Sequence, residues 1–237
     1  MGSVKRSEAG MAAAMREGMR AGLTPLTPLG VTARDGVLEI FTPRGIILGL
    51  LAGPHDATVG VLMVGGALGG FSGPAGTVYA DLAGALAEKG IASMRLHYRR
   101  PNDLEECVMD VLLAVSWWKA QGVERTVIGG HSFGGAVAIS AAGLIPEIVG
   151  AIGLASQTAG TELVEHMRDK PLLLLHGDSD PILPAICSEN IYARASEPKE
   201  LVILPGCGHL MTEAAAEVLD RMVAWIPPVL RDEGGSP

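Results

Sequence analysis

The stretch Thr126-Val127-Ile128-Gly129-Gly130-His131-Ser132-Phe133-Gly134-Gly135 decides how this chain is read. A short apolar run passes through two glycines into a serine, then into the uncharged, small-residue segment Phe133–Leu144, which has the composition of a buried helix. Gly130-His131-Ser132-Phe133-Gly134 fits G-x-S-x-G, the pattern of a serine held on a sharp turn between strand and helix. The spacing has a steric cause: residues two before and two after the serine must lack bulk, or the flanking backbones collide. Such a turn exposes the hydroxyl and aims the first N–H groups of the helix toward it. An ordinary Gly-rich turn is the plainer reading of the same residues, and the rest of the chain decides between the two.

Outward from this stretch, short branched-rich runs alternate with helix-like segments. Val37–Thr42 and Ile46–Gly53 read as a hairpin through Pro43-Arg44-Gly45. Gly60–Val64, Ile91–Leu96, Thr126–Gly129, Ala151–Ala155, Pro171–Leu175 and Leu201–Leu204 are nearly unbroken apolar runs, as parallel strands buried on both faces require. Helices are predicted over Ala75–Lys89, Leu104–Gln121, Phe133–Leu144, Thr161–Arg168, Ala185–Ala195 and Glu213–Ile226. The pattern predicts an α/β fold: a doubly wound, mostly parallel, eight-stranded sheet with helices on both faces. In such sheets ligands meet the carboxyl ends of the strands.

Composition agrees. The 237 residues are 48% hydrophobic and 19% charged, enough apolar material for one sizeable core and incompatible with a disordered chain. Eighteen Lys and Arg against 26 Asp and Glu give a net charge of −8, which offers no basic stripe to nucleic acid. Cys107, Cys187 and Cys207 form no C-x-x-C pair, so the expected compartment is the reducing cytoplasm. The uncharged stretch Ala57–Ala80 is long enough for a membrane span, but seven glycines and Pro74 make it a buried strand followed by a Gly-rich loop; no membrane partner is expected. Residues 1–30 are read as a helical extension, with Met11, Met15 and Met19 on one face, residues 31–228 as the single domain, and 229–237 as a flexible tail. The oligomeric state is left open, a homodimer built on the amino-terminal helix being one arrangement.

A serine needs a base within hydrogen-bond reach, itself oriented by a third group. Two loops after later strands supply candidates: His176-Gly177-Asp178-Ser179-Asp180-Pro181, and Pro205-Gly206-Cys207-Gly208-His209. Together with Gly130-His131-Ser132-Phe133-Gly134-Gly135, over about residues 31–228, these loops make the chain resemble the α/β-hydrolase superfamily, and within it the compact dienelactone-hydrolase-like and small lidless carboxylesterase members. Dienelactone hydrolases carry a cysteine nucleophile, where this chain has Ser132.

The resemblance implies Ser132 as nucleophile, Asp180 as orienting acid and His209 as general base. Asp180 rather than Asp178 stands before a proline, where the family's acid usually sits. It also implies an oxyanion hole from the backbone N–H of Phe133 and of Ala67, with Gly66 as the alternate; Gly65 stands where family members often have histidine. Phe71, Ile182 and Leu183 are candidate pocket-wall residues, each equally suited to the core. His131 is expected to bury under the turn and His176 to end a strand by packing. Fifteen residues separate the runs ending at Ala155 and beginning at Pro171, room for one short helix and no cap domain. No metal-ligand spacing or phosphate loop occurs, so neither metal nor cofactor is expected. The expected activity is cleavage of small carboxylic esters of short to medium acyl chain through an acyl-enzyme. Thioesterase, lactonase, peptidase or acyltransferase chemistry on the same triad are alternatives, as is a non-catalytic ligand-binding homologue.

Overall fold

The computed structural model describes residues 26–231. Nine strands form one sheet: β1 Gly30–Arg34, β2 Val37–Thr42, β3 Gly45–Ala52, β4 Val59–Val64, β5 Ala92–His97, β6 Arg125–His131, β7 Ile148–Leu154, β8 Leu172–Gly177 and β9 Lys199–Leu204. Their spatial order is β1-β2-β3-β5-β4-β6-β7-β8-β9. The first three strands run antiparallel to their neighbours, and β4 through β9 are mutually parallel. Among the described residues, five helices flank the sheet: α1 Val78–Ala87, α2 Leu104–Ala120, α3 Phe133–Leu144, α4 Ile186–Arg194 and α5 Ala215–Arg231.

The parallel strands are apolar throughout because both faces are covered. In β4, Leu62 and Val64 face a core shared with α2 and α3, while Val61 and Met63 face a second core shared with α1 and α5. From β4 the chain crosses first to β5 on one side and later to β6 on the other. That reversal opens a crevice at the carboxyl end of β4. The register pairs Val64 with Gly130, so the loops leaving β4 and β6 emerge side by side.

The sheet has nine strands rather than the expected eight. The additional one, β1, joins β2 through a two-residue turn, Asp35-Gly36, with both residues at positive φ (53° and 76°). Asp-Gly is a favoured pair for this hairpin turn. Its strand escapes the apolar pattern because β1 is an edge strand exposed along most of its length. The segment predicted as a helix over Thr161–Arg168 is a single 3-10 turn, Glu162–His166. Helix α5 continues past the expected end at Ile226, through Pro227 and Pro228 to Arg231. The apolar core draws it onward: Leu230 is buried, and the Arg125 side chain donates to the Val229 and Leu230 carbonyls at 3.2 and 3.0 Å. The amino-terminal helix and the end of the tail lie outside the described residues, though Leu26 is already part of the core. No helix among the described residues is long and apolar enough to cross a membrane.

One polar cluster interrupts the core. The Arg99 and Asp110 side chains are both fully buried and ion-paired, and the Arg99 backbone N–H donates to Asp110 Oδ2 at 2.8 Å. Arg99 Nη2 and Arg44 Nη1 each lie 2.7 Å from a Glu106 carboxylate oxygen. The cluster fixes the segment after β5, where the Tyr98 hydroxyl donates to Gly65 O at 3.1 Å. Removing one partner of a buried pair strands the other without solvation. Asp110→Ala should therefore lower stability by about 3–5 kcal/mol. The urea midpoint at pH 7.5 reads the change, and a loss below about 1 kcal/mol, the scale of exposed pairs, would show that Arg99 finds compensation elsewhere.

Candidate active site

Ser132 stands between β6 and α3 at φ 57° and ψ −119°. A non-glycine residue rarely occupies positive φ, at a cost of about 1–3 kcal/mol, unless its surroundings over-determine it. Here they do. The Ser132 N–H donates to Leu154 O at 2.8 Å, and Ser132 O accepts from Gly135 N at 3.0 Å. A methyl group on Gly130 would fall 2.0 Å from Gly134 O, and one on Gly134 would fall 2.3 Å from Gly65 O. The two motif glycines thus meet the steric demand, and the second also seats the turn against the loop leaving β4.

That loop, Gly65–Gly70, doubles back on itself, with Gly69 N–H donating to Gly66 O at 2.9 Å. Gly66 faces the turn: a Cβ there would sit 3.7 Å from Ser132 Cβ and 3.4 Å from His131 O. The loop has glycine at position 65 and is braced from three sides. Tyr79 and Tyr98 hydroxyls donate to Val64 O and Gly65 O at 2.9 and 3.1 Å, and Gly70 N–H donates to His97 Nδ1 at 2.9 Å. Ala67 lies at the turn of this loop and Phe133 at the first position of α3, the two stations where backbone donors were expected.

Asp180 follows β8 and His209 follows β9, and the structure joins them: His209 Nδ1–H donates to Asp180 Oδ2 at 2.6 Å. Asp180 Oδ1 accepts from the backbone N–H of Ile182 and Leu183 at 2.8 and 2.9 Å. Burial works to raise the Asp180 pKa, but the bonds from His209, Leu183 and Ile182 outweigh it and hold the carboxyl below the usual range. Asp178 is exposed and occupied with its own turn, accepting from Ser179 Oγ and Gly206 N at 2.9 and 2.7 Å. The close packing of these loops also explains Cys207, which is buried with its thiol pKa raised by desolvation, conditions that suit packing better than reactivity.

His131 connects the two halves of the site. Its ring lies 4.7 Å, centroid to centroid, from that of His209, and its Nε2–H donates to His209 O at 2.9 Å. The imidazole of His209 is therefore held against the residue next to Ser132. No hydrogen bond closes between Ser132 Oγ and His209 in this conformation; such contacts are often long without substrate and tighten in the complex.

The matched sequence family, described as Phospholipase/Carboxylesterase, covers residues 108–224, which span α2 through most of α5 and include Ser132, Asp180 and His209. The uncharacterized protein Rv2307c of Mycobacterium tuberculosis is 30% identical over 210 residues, covering 74% of this chain and 72% of its own. The chain belongs to the α/β-hydrolase superfamily. Solved structures of similar fold include a dienelactone hydrolase from Anabaena variabilis (TM-score 0.69, 20% identity, 87% of this chain and 98% of that one). An α-beta serine hydrolase homologue from Coxiella burnetii gives a TM-score of 0.68 at 21% identity, over 83% of this chain and all of that one. Est1E from Butyrivibrio proteoclasticus gives 0.67 at 19%, over 82% and 99%. At these identities the likeness is one of fold. Among the described residues, the central sheet carries no separate cap.

The candidate wall residues of this hydrolase divide. Phe71 is half-buried, its ring 5.7 Å from that of His97. Leu183 is half-buried and its backbone is committed to the Asp180 loop, while Ile182 is 66% exposed. Leu68, next to Ala67, and Leu210, next to His209, are 92% and 55% exposed. Sequence reasoning missed both, although adjacency to site residues was the available signal. A separate cavity of about 260 Å³, lined by Trp117, Trp118 and Gly53 among others, lies toward the amino ends of the parallel strands, away from the loops that carry Ser132, Asp180 and His209.

Burial pushes the His131 pKa down to about 4, the hydrogen bond to His209 O only partly opposing it. With an unfolded value near 6.5, the unfolded chain takes up this proton first as pH falls, so folding loses stability between about pH 6.5 and 4 and no more below. Relative to His131→Gln, the wild type should lose about 3 kcal/mol of unfolding free energy over that window. Urea titrations of both proteins at pH 7.5, 5.5 and 4.2 measure this; parallel pH curves would mean that His131 takes up its proton equally in the folded state.

Proposed function

We propose that this α/β hydrolase cleaves carboxylic esters of short to medium acyl chain by acyl transfer through Ser132. The reading rests above all on one observation, the His209–Asp180 hydrogen bond of 2.6 Å set beside a serine at positive φ. A serine hydroxyl is a poor nucleophile without a base, and a neutral imidazole whose Nδ1–H is engaged by a carboxylate offers Nε2 as acceptor.

In the acylation step His209 Nε2 takes the Ser132 proton as Oγ forms a bond to the ester carbonyl carbon, whose π electrons move onto oxygen. The N–H groups of Phe133 and Ala67, with Gly66 as alternate, receive that oxyanion. Its collapse expels the alkoxide, which His209 protonates. Water then repeats the sequence on the acyl-enzyme and releases the carboxylic acid. Asp180 stays ionised throughout and stabilises the transient imidazolium. Every step uses side chains and backbone of this chain.

The substrate range follows from the surroundings. The 15-residue connection between Ala155 and Pro171 supplies no cap, and Leu68, Ile182 and Leu210 provide exposed apolar surface next to the site residues. An acyl methylene that reaches this rim gains up to about 0.8 kcal/mol, roughly fourfold in kcat/KM. Across p-nitrophenyl esters the rate should climb from acetate into medium chains and then level off once the chain outgrows the rim. A profile flat from acetate upward would remove the rim from the account.

Ser132→Ala should lower kcat by at least about 10³-fold on p-nitrophenyl acetate, since loss of a triad nucleophile can cost about 10⁶. An undiminished rate would refute the assignment. Competing the ester against an acyl-CoA thioester, a lactone and a peptide amide measures which acyl transfer the site prefers.

A further inference from the structure

His176 was expected only to pack, yet it ends β8 with its side chain wholly buried and every ring nitrogen committed. Nε2 lies 2.9 Å from Leu183 O and 3.3 Å from Asp180 Oδ2. A carbonyl only accepts, so Nε2 carries the proton and donates it to Leu183 O, with the carboxylate oxygen close by. Nδ1 lies 2.7 Å from the hydroxyl of Ser188, which is itself fully buried on α4. A hydroxyl rotates to suit its partner, so Ser188 Oγ–H donates to Nδ1 and completes the Nε2–H tautomer.

The Asp180 carboxylate then accepts three hydrogen bonds and has the His176 ring as a further neighbour. Oδ1 takes the backbone N–H of Ile182 and Leu183, and Oδ2 takes His209, with His176 Nε2 3.3 Å away. His176 lies against Oδ2 and also ties down the Leu183 carbonyl, on the residue whose N–H donates to Oδ1. The chain of contacts Ser188–His176–Asp180–His209 anchors the carboxylate to α4 independently of the base it orients.

We propose that His176 is a positioning residue of the hydrolytic site: it fixes the Asp180 carboxylate so that Oδ2 faces His209 Nδ1. The inference rests on the functional reading above for its kinetic consequence, though not for its geometry. His176 itself touches neither the serine nor an ester held on it, so its effect falls on the chemical step and spares ground-state binding.

The test compares His176→Leu, which fills the space without a donor, with His176→Gln, whose amide N–H can reach Leu183 O and Asp180 Oδ2. His176→Leu should lower kcat about 10- to 100-fold, the scale for outer residues that orient a catalytic group, with KM unchanged. His176→Gln should restore most of kcat. The downfield imidazole N–H proton resonance of His209, recorded by NMR at pH 7.5, should be present in the wild type, shifted or broadened in His176→Leu, and recovered in His176→Gln. Ser188→Ala, which loosens the ring without altering Asp180, should move kcat and the resonance the same way by less, and it serves if His176→Leu does not fold. An unchanged kcat and resonance in the folded variants would overturn the inference while leaving the ester-cleaving reading intact. A resonance that responds in a protein with no esterase activity would do the reverse. Loss of kcat in both His176→Leu and His176→Gln, with the resonance undisturbed, would reduce His176 to a packing residue.

Discussion

The site depends on one close approach of backbone to backbone. Gly134, two residues past the serine, sits so near the Gly65 carbonyl that even a methyl group would come within 2.3 Å of it. Gly130 is as tightly placed against Gly134. Because β4 and β6 are hydrogen-bonded neighbours with Val64 opposite Gly130, the turn that lifts Ser132 and the loop that approaches it leave the sheet at the same level. Any side chain at these positions would force the two apart, and the serine would lose both its strained conformation and its neighbouring backbone donors.

Around that contact the protein spends its buried polar groups in two clusters of different purpose. Arg99, Asp110, Glu106 and Arg44 stiffen the segment after β5, and through Tyr98 they brace the Gly65–Gly70 loop. The second cluster, of three histidines and a carboxylate, lies beside the Ser132 turn. His131 holds the His209 backbone, Asp180 holds the His209 ring, and His176 meets Asp180 from behind. Burial keeps His131 from charging until about pH 4, so it adds no positive charge beside the His209 ring in the physiological range.

Much of this was legible in the residues. Two-sided burial writes β4 and β6 through β8 as nearly unbroken apolar runs, so their existence and order could be read directly. That Asp180 and His209 would lie on loops after successive strands was legible in the sequence, and the structure brings the two side chains together. β1 was missed because an edge strand such as Gly30–Arg34 needs no apolar face, although its Asp35-Gly36 turn was a usable signal. The 3-10 turn at Glu162–His166 carries a helical composition that too few residues can sustain. His176 was underread for a different reason. Its partners Ser188 and Leu183 lie 12 and 7 residues away, and only the fold brings them to its ring.

The central claim is that Ser132 Oγ itself carries the acyl group. Rapid acid quenching of the enzyme with p-nitrophenyl acetate, followed by peptide mass mapping, tests it directly. The account predicts an acetyl group on the peptide containing Ser132, approaching one per chain and appearing no later than the first burst of nitrophenol. Steady turnover with the acyl group on Cys187 or another side chain, and none on Ser132, would contradict it.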